Sequence, residues 1–190
     1  LYKQGYRNFI FFVNTDTIIR KTKENFLNPK SSKYLFKEQI NIDGVNVKIT
    51  SVDNFESTNT EDINILFSTI QGLHSKLNAP RENSITFDDF TDKETVLISD
   101  EAHHINALTK KKHSAGEKDN ITSWEHTVER ILSASPNNIM MEFTATLELS
   151  HPAVASKYAN KLLYNYPLAK FREDGYSKEV QTNQVDYEPI

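Results

Sequence analysis

VLISDEAHHIN, residues 96 to 106, is the stretch on which the reading of this chain turns. A β-branched apolar run breaks off into Asp100, Glu101, His103 and His104. Acids and imidazoles at the end of a strand that reads as buried cost free energy unless something uses them. One use is chemical. A carboxylate at the mouth of a parallel sheet can hold Mg2+, while a neighbouring carboxylate orients or deprotonates an attacking water.

The flanking sequence supports such a sheet. NFIFFVN (8 to 14) reads as a buried strand, and TDTIIRKTKENF (15 to 26) follows as a helix that Thr15 or Asp16 is suited to cap. NVKITSV (46 to 52), INILFST (63 to 69), TVLIS (95 to 99) and NIMMEFTAT (138 to 146) are further strand candidates. TSWEHTVERILS (122 to 133) has Thr122 and Glu125 in capping-box register, with Trp124, Val128, Ile131 and Leu132 on one face. Pro152 stands where the first turn of a helix running through Tyr158 and Leu162 would begin. Strands alternating with helices predict an α/β fold, with a mostly parallel sheet covered on both faces and ligands at the carboxyl ends of its strands. Asp100 lies at such an end.

The composition is that of an ordinary globular chain: 190 residues, 37% hydrophobic and 25% charged, enough for one domain with a sizeable core. Cysteine is absent, which excludes disulfides and cysteine-based zinc sites. Neither an apolar stretch of bilayer length nor a signal-peptide pattern is present, so the expectation is a cytoplasmic chain with no membrane contact. The net charge of −4 opposes bulk electrostatic binding of nucleic acid, but it is unevenly spread. Residues 1 to 50 carry nine Lys or Arg against four Asp or Glu; residues 51 to 102 carry three against eleven. The basic quarter suits a polyanion, or is simply a set of solvated helix faces. Two stretches read as loosely held, 78 to 94 and the Lys-, Gly- and Ser-rich 109 to 120, the second as a mobile loop.

Ala102 and His103 complete the tetrapeptide DEAH, and the segment resembles motif II, the Walker B motif, of superfamily two helicases and translocases. Companion segments stand in the family's order. FFVNTDTIIRKTKENF (11 to 26) resembles motif Ia with its helix, FSTIQGL (67 to 73) resembles the Thr-x-Gln segment that touches the nucleic-acid backbone, and FTAT (143 to 146) resembles motif III. Together, SDEAHHIN, SWEHTVERI and MMEFTAT resemble the restriction subunit of type III restriction–modification enzymes.

The resemblance implies a role for each matching residue. Asp100 would coordinate Mg2+ on the phosphates of ATP, Glu101 would position the hydrolytic water, and His103 would link the phosphate side to the DNA side. Thr144 and Thr146 would couple the two sites, and Asn14, Thr15, Thr17, Thr69 and Gln71 would contact DNA. Plainer readings stand beside these. His103 can be a satisfied core histidine, His104 an exposed first-turn residue, FTAT a strand ending in threonines, and Thr69 with Gln71 a turn-capping pair.

The phosphate loop G-x-x-x-x-G-K-[ST] is missing, since none of the five glycines is followed by Lys-Ser or Lys-Thr. The resemblance therefore implies a partial first RecA-like lobe over residues 1 to 190, a three-layer parallel sheet without the phosphate-loop strand, running from motif Ia to just beyond motif III. The implied partners are double-stranded DNA, a second motor lobe and nuclease domain of the same polypeptide, and a modification methyltransferase subunit. ATP and Mg2+ would be bound by the complete motor, and the chain alone is expected to be inactive. Two rival functions remain: a degenerate helicase-like DNA- or protein-binding module, and a metal-dependent phosphohydrolase built on Asp100, His103 and His104. The motor reading predicts Asp100 and Thr144 to Thr146 at one carboxyl edge, with IMMEFT left as an exposed apolar edge.

Overall fold

The computed structural model describes residues 1–56, 58–100, 115–145, 147 and 149–177. They fall into two compact units, Leu1–Glu148 and Leu149–Ile190. The first is built on strand β1 (Asn8–Val13), whose six residues NFIFFV are all buried. Continuous burial without alternation is the mark of a strand covered on both faces.

Helix α1 (Asp16–Leu27) follows, then β2 (Ile40–Ile42), β3 (Val45–Val47), β4 (Ile49–Ser51), β5 (Ile63–Thr69) and α2 (Ile70–Asn78). After α3 (Asp89–Asp92) come β6 (Thr95–Ser99), α4 (Ala115–Ala134) and β7 (Ile139–Glu142). Five strands form one sheet in the order β4-β5-β1-β6-β7, every neighbouring pair parallel. Side chains alternate between its faces. Ile10, Phe12, Leu66 and Leu97 join Leu73 of α2, Phe90 of α3 and Ile131 of α4 in one core. Phe9, Phe11, Val13, Ile65 and Val96 form the other, packed against Ile18, Ile19 and Phe26 of α1. The layering is helix, sheet, helix, as the sequence predicts.

The stretch 46 to 52 is not one strand. It breaks at Lys48, whose backbone N–H donates to Asp62 Oδ1 at 2.9 Å rather than to a ladder. On one side β3 pairs antiparallel with β2 through an Asp43-Gly44 turn, both residues at positive φ; on the other β4 pairs parallel with β5. Stretch 78 to 94 is pinned rather than loose, because Ile85 and Phe90 are fully buried and Thr86 N–H donates to Asp89 Oδ2 at 2.8 Å.

Helix α4 covers Ala115–Ala134 and so reaches about two turns upstream of the predicted start, which places Thr122 and Glu125 inside it rather than at a capping box. Ala115, Glu117 and Lys118 favour helix well enough to extend it upstream. Residues 109 to 114 lie outside the described ones.

In the second unit α5 (Pro152–Tyr158) begins at the expected proline but stops short of Leu162, with Asn160 in the left-handed region at φ 62°. Helix α6 (Leu168–Glu173) follows. Among the described residues no helix is long and apolar enough to cross a membrane.

Candidate functional site at the carboxyl edge of the sheet

The register of the sheet aligns four strand ends. Val13 of β1 stands opposite Thr69 of β5, Phe12 opposite Ser99 of β6, and Ser99 opposite Glu142 of β7. Because all these strands run the same way, the residues that follow them emerge from one edge: Asn14, Gln71, Asp100 and Thr144. This is where an open parallel sheet binds ligands.

Asp100 is half-buried, and its N–H reaches Phe12 O at 3.3 Å, which continues the β1–β6 ladder one residue past the strand. Phe143 N–H donates to Ser99 O at 2.8 Å and does the same on the other side. Thr144, half-buried, therefore follows directly on Phe143, the residue bonded to the one before Asp100. Between them Ser99 is fully buried and its Oγ has no hydrogen-bond partner among the described residues. A buried hydroxyl left unpaired costs about 1–3 kcal/mol, and such groups in native chains call for a reason.

On the other side of the edge, Thr69 ends β5 and caps α2: its Oγ1 accepts the Gly72 N–H at 3.1 Å. Gly72 has little room, since a Cβ there would lie 3.0 Å from Ser68 Oγ and 3.1 Å from Thr69 Oγ1. In the first turn of α2, Gln71 Nε2 donates to Asn14 Oδ1 at 2.6 Å, joining the ends of β1 and β5. Thr15 and Thr17 are exposed at the start of α1; Thr15 is the N-cap residue but makes no side-chain cap bond.

The predicted set is thus partly assembled. Asn14, Thr69, Gln71, Asp100 and Thr144 share one edge, with Thr15 and Thr17 just beyond it. Glu101, His103, His104 and Thr146 lie outside the described residues. Sequence reasoning missed Ser99 and the Asn14–Gln71 bond. The signal for Ser99 was its place as the lone hydroxyl closing an apolar strand. Nothing local marked the Asn14–Gln71 bond, whose partners are 57 positions apart. Among the described residues no group of three or more His, Cys, Asp or Glu stands together as a metal cage.

A five-stranded parallel sheet between two helical layers, with Asn14, Gln71, Asp100 and Thr144 at its carboxyl edge, is a RecA-like α/β lobe of the helicase-like kind. Residues 1–149 match the family described as type III restriction enzyme, res subunit, and the chain belongs to that family. It is similar to the probable type III restriction-modification enzyme HindVIP Res subunit of Haemophilus influenzae, 37% identical over 196 aligned positions that cover 94% of this chain. The match spans 38% of that relative's length.

Proposed function

We propose that this chain is the first motor lobe of an ATP-driven DNA translocase within a type III restriction endonuclease, working in the cytoplasm beside a modification methyltransferase. The observation that supports it most is the carboxyl edge, to which the parallel register of β1, β5, β6 and β7 brings Asn14, Thr69, Asp100 and Thr144.

In this reading the Asp100 carboxylate holds the Mg2+ that accompanies ATP. A half-buried carboxylate fits that ion, which is usually held by one or two carboxylates together with substrate phosphates rather than by an all-protein cage. Bound there, the ion would offset charge building on the phosphate oxygens. Glu101 accepts a hydrogen bond from the attacking water and aims it at phosphorus. His103, with the Thr144 and Thr146 hydroxyls, passes the state of the phosphates to the DNA side. Asn14, Thr15, Thr17, Thr69 and Gln71 hold backbone phosphates, which fixes position without reading bases.

The reading also needs a phosphate loop and a second lobe, and these 190 residues contain no G-x-x-x-x-G-K-[ST] sequence. β7 ends the sheet with Ile139, Met140 and Met141 only half-buried, so a further strand has an edge on which to pair.

The test is displacement of a third DNA strand by a full-length Res polypeptide carrying this lobe. Displacement that requires hydrolysable ATP supports the translocase. ATP turnover without displacement, or DNA binding indifferent to nucleotide, rejects it.

A further inference from the structure

The basic amino-terminal quarter is left unused by the site above. Residues 15 to 39 hold six cations, Arg20, Lys21, Lys23, Lys30, Lys33 and Lys37, against three acids, Asp16, Glu24 and Glu38, a net of +3 in a chain of −4. All six cations are exposed, and none has an ion-pair partner among the described residues. Solvated lysines on a flexible loop would mean little, but this segment is held in place. Leu35 N–H donates to Asn25 O at 2.9 Å, and the Phe36 ring meets Phe26 edge-on at 5.0 Å, which folds residues 34 to 36 back onto the carboxyl half of α1. Lys30 N–H reaches Asn28 Oδ1 at 3.0 Å, and Tyr34 N–H reaches Ser31 O at 3.1 Å, so the intervening turns are also fixed. The backbone that carries the cations is therefore held in place, with Arg20, Lys21 and Lys23 on exposed positions of α1 and Lys30, Lys33 and Lys37 on the segment folded against it.

We infer that this surface is a second binding track for duplex DNA, gripping phosphates beyond the strand ends. Three observations favour that partner. The surface begins where Asn14, Thr15 and Thr17 stand, and in that adjacency it rests on the DNA role proposed for them; its charge does not. Helix α1, at about 1.5 Å per residue, runs roughly 18 Å, a length over which a duplex presents about ten phosphates. An anionic membrane is the poorer fit, because interfacial helices bury their apolar face in lipid, and here Ile18, Ile19 and Phe26 are packed on the sheet.

The 190-residue chain itself serves for the test, with anisotropy of a labelled mixed-sequence duplex read across a salt series. Variants are Lys30→Gln/Lys33→Gln/Lys37→Gln and Arg20→Gln/Lys23→Gln, all exposed sites, with circular dichroism as a control of folding. The expected result is weaker binding for both, equal on unrelated sequences, with the slope of log K against log salt shallower by about 0.9 for each contact removed. Gln71→Ala separates the two ideas: if it has no effect while the lysine variants lose affinity, the motif-end role fails and the track stands. An unchanged slope in both sets, or capture of phosphatidylserine vesicles or polyglutamate in place of duplex, would overturn the track.

Discussion

Gln71 Nε2 lies 2.6 Å from Asn14 Oδ1, and this bond ties the first turn of α2 to the end of β1. Both residues belong to the proposed DNA contacts, so each orients the other as well as any phosphate. Their effects should overlap. Gln71→Ala and Asn14→Ala are each expected to cost about 1 kcal/mol of DNA binding, near fivefold, alike on all sequences. The double variant should fall short of the sum, as for residues in contact. A loss confined to one DNA sequence, in a binding series over several duplexes, would assign Gln71 to base readout instead.

Stability rests on the core behind that edge. Leu73 of α2 is fully buried against a cluster that includes Phe12, Leu66 and Leu97. Leu73→Ala should cost about 2–5 kcal/mol in urea unfolding. Leu163→Ala, at a side chain 91% exposed, should stay within about 0.5 kcal/mol. Equal midpoints for the two would contradict the packing described.

In the second unit, the Lys170 ammonium first and the Tyr166 hydroxyl second hold the Asp174 carboxyl below its ordinary range. Lys170 Nζ stands 2.6 Å from Asp174 Oδ1. A carboxylate depressed in the folded state stabilises above its unfolded pKa, and that contribution is lost as pH falls through the folded one. Carbon-detected titration should find the Asp174 midpoint below that of an ordinary aspartate, and Lys170→Met should raise it. A midpoint unmoved by that substitution would remove Lys170 as the main cause.

Much of this fold was legible because its central strands are apolar on both faces: NFIFFV, NILF and TVLI can go almost nowhere but inside. The edge site was legible for a related reason, since Asp100 and Thr144 each follow such a run. What stayed hidden depends on partners distant in sequence. Lys48 ends a strand because Asp62 takes its N–H, and Ile85 and Phe90 anchor a stretch that is mostly polar in sequence. The upstream start of α4 was masked by the Lys, Gly and Ser around it, although several of those residues tolerate helix.

Phosphate release in the presence of duplex DNA tests the central claim most directly. The comparison takes a full-length Res polypeptide carrying this lobe, its Glu101→Gln and Asp100→Asn variants, and the 190-residue chain alone. The motor reading predicts DNA-stimulated turnover by the full-length protein and a loss of about a hundredfold or more in Glu101→Gln with ATP and DNA binding kept. It also predicts weakened Mg–ATP binding in Asp100→Asn and no turnover by the chain alone, which lacks the phosphate loop. Undiminished turnover in Glu101→Gln, or robust hydrolysis by the chain alone, would contradict it.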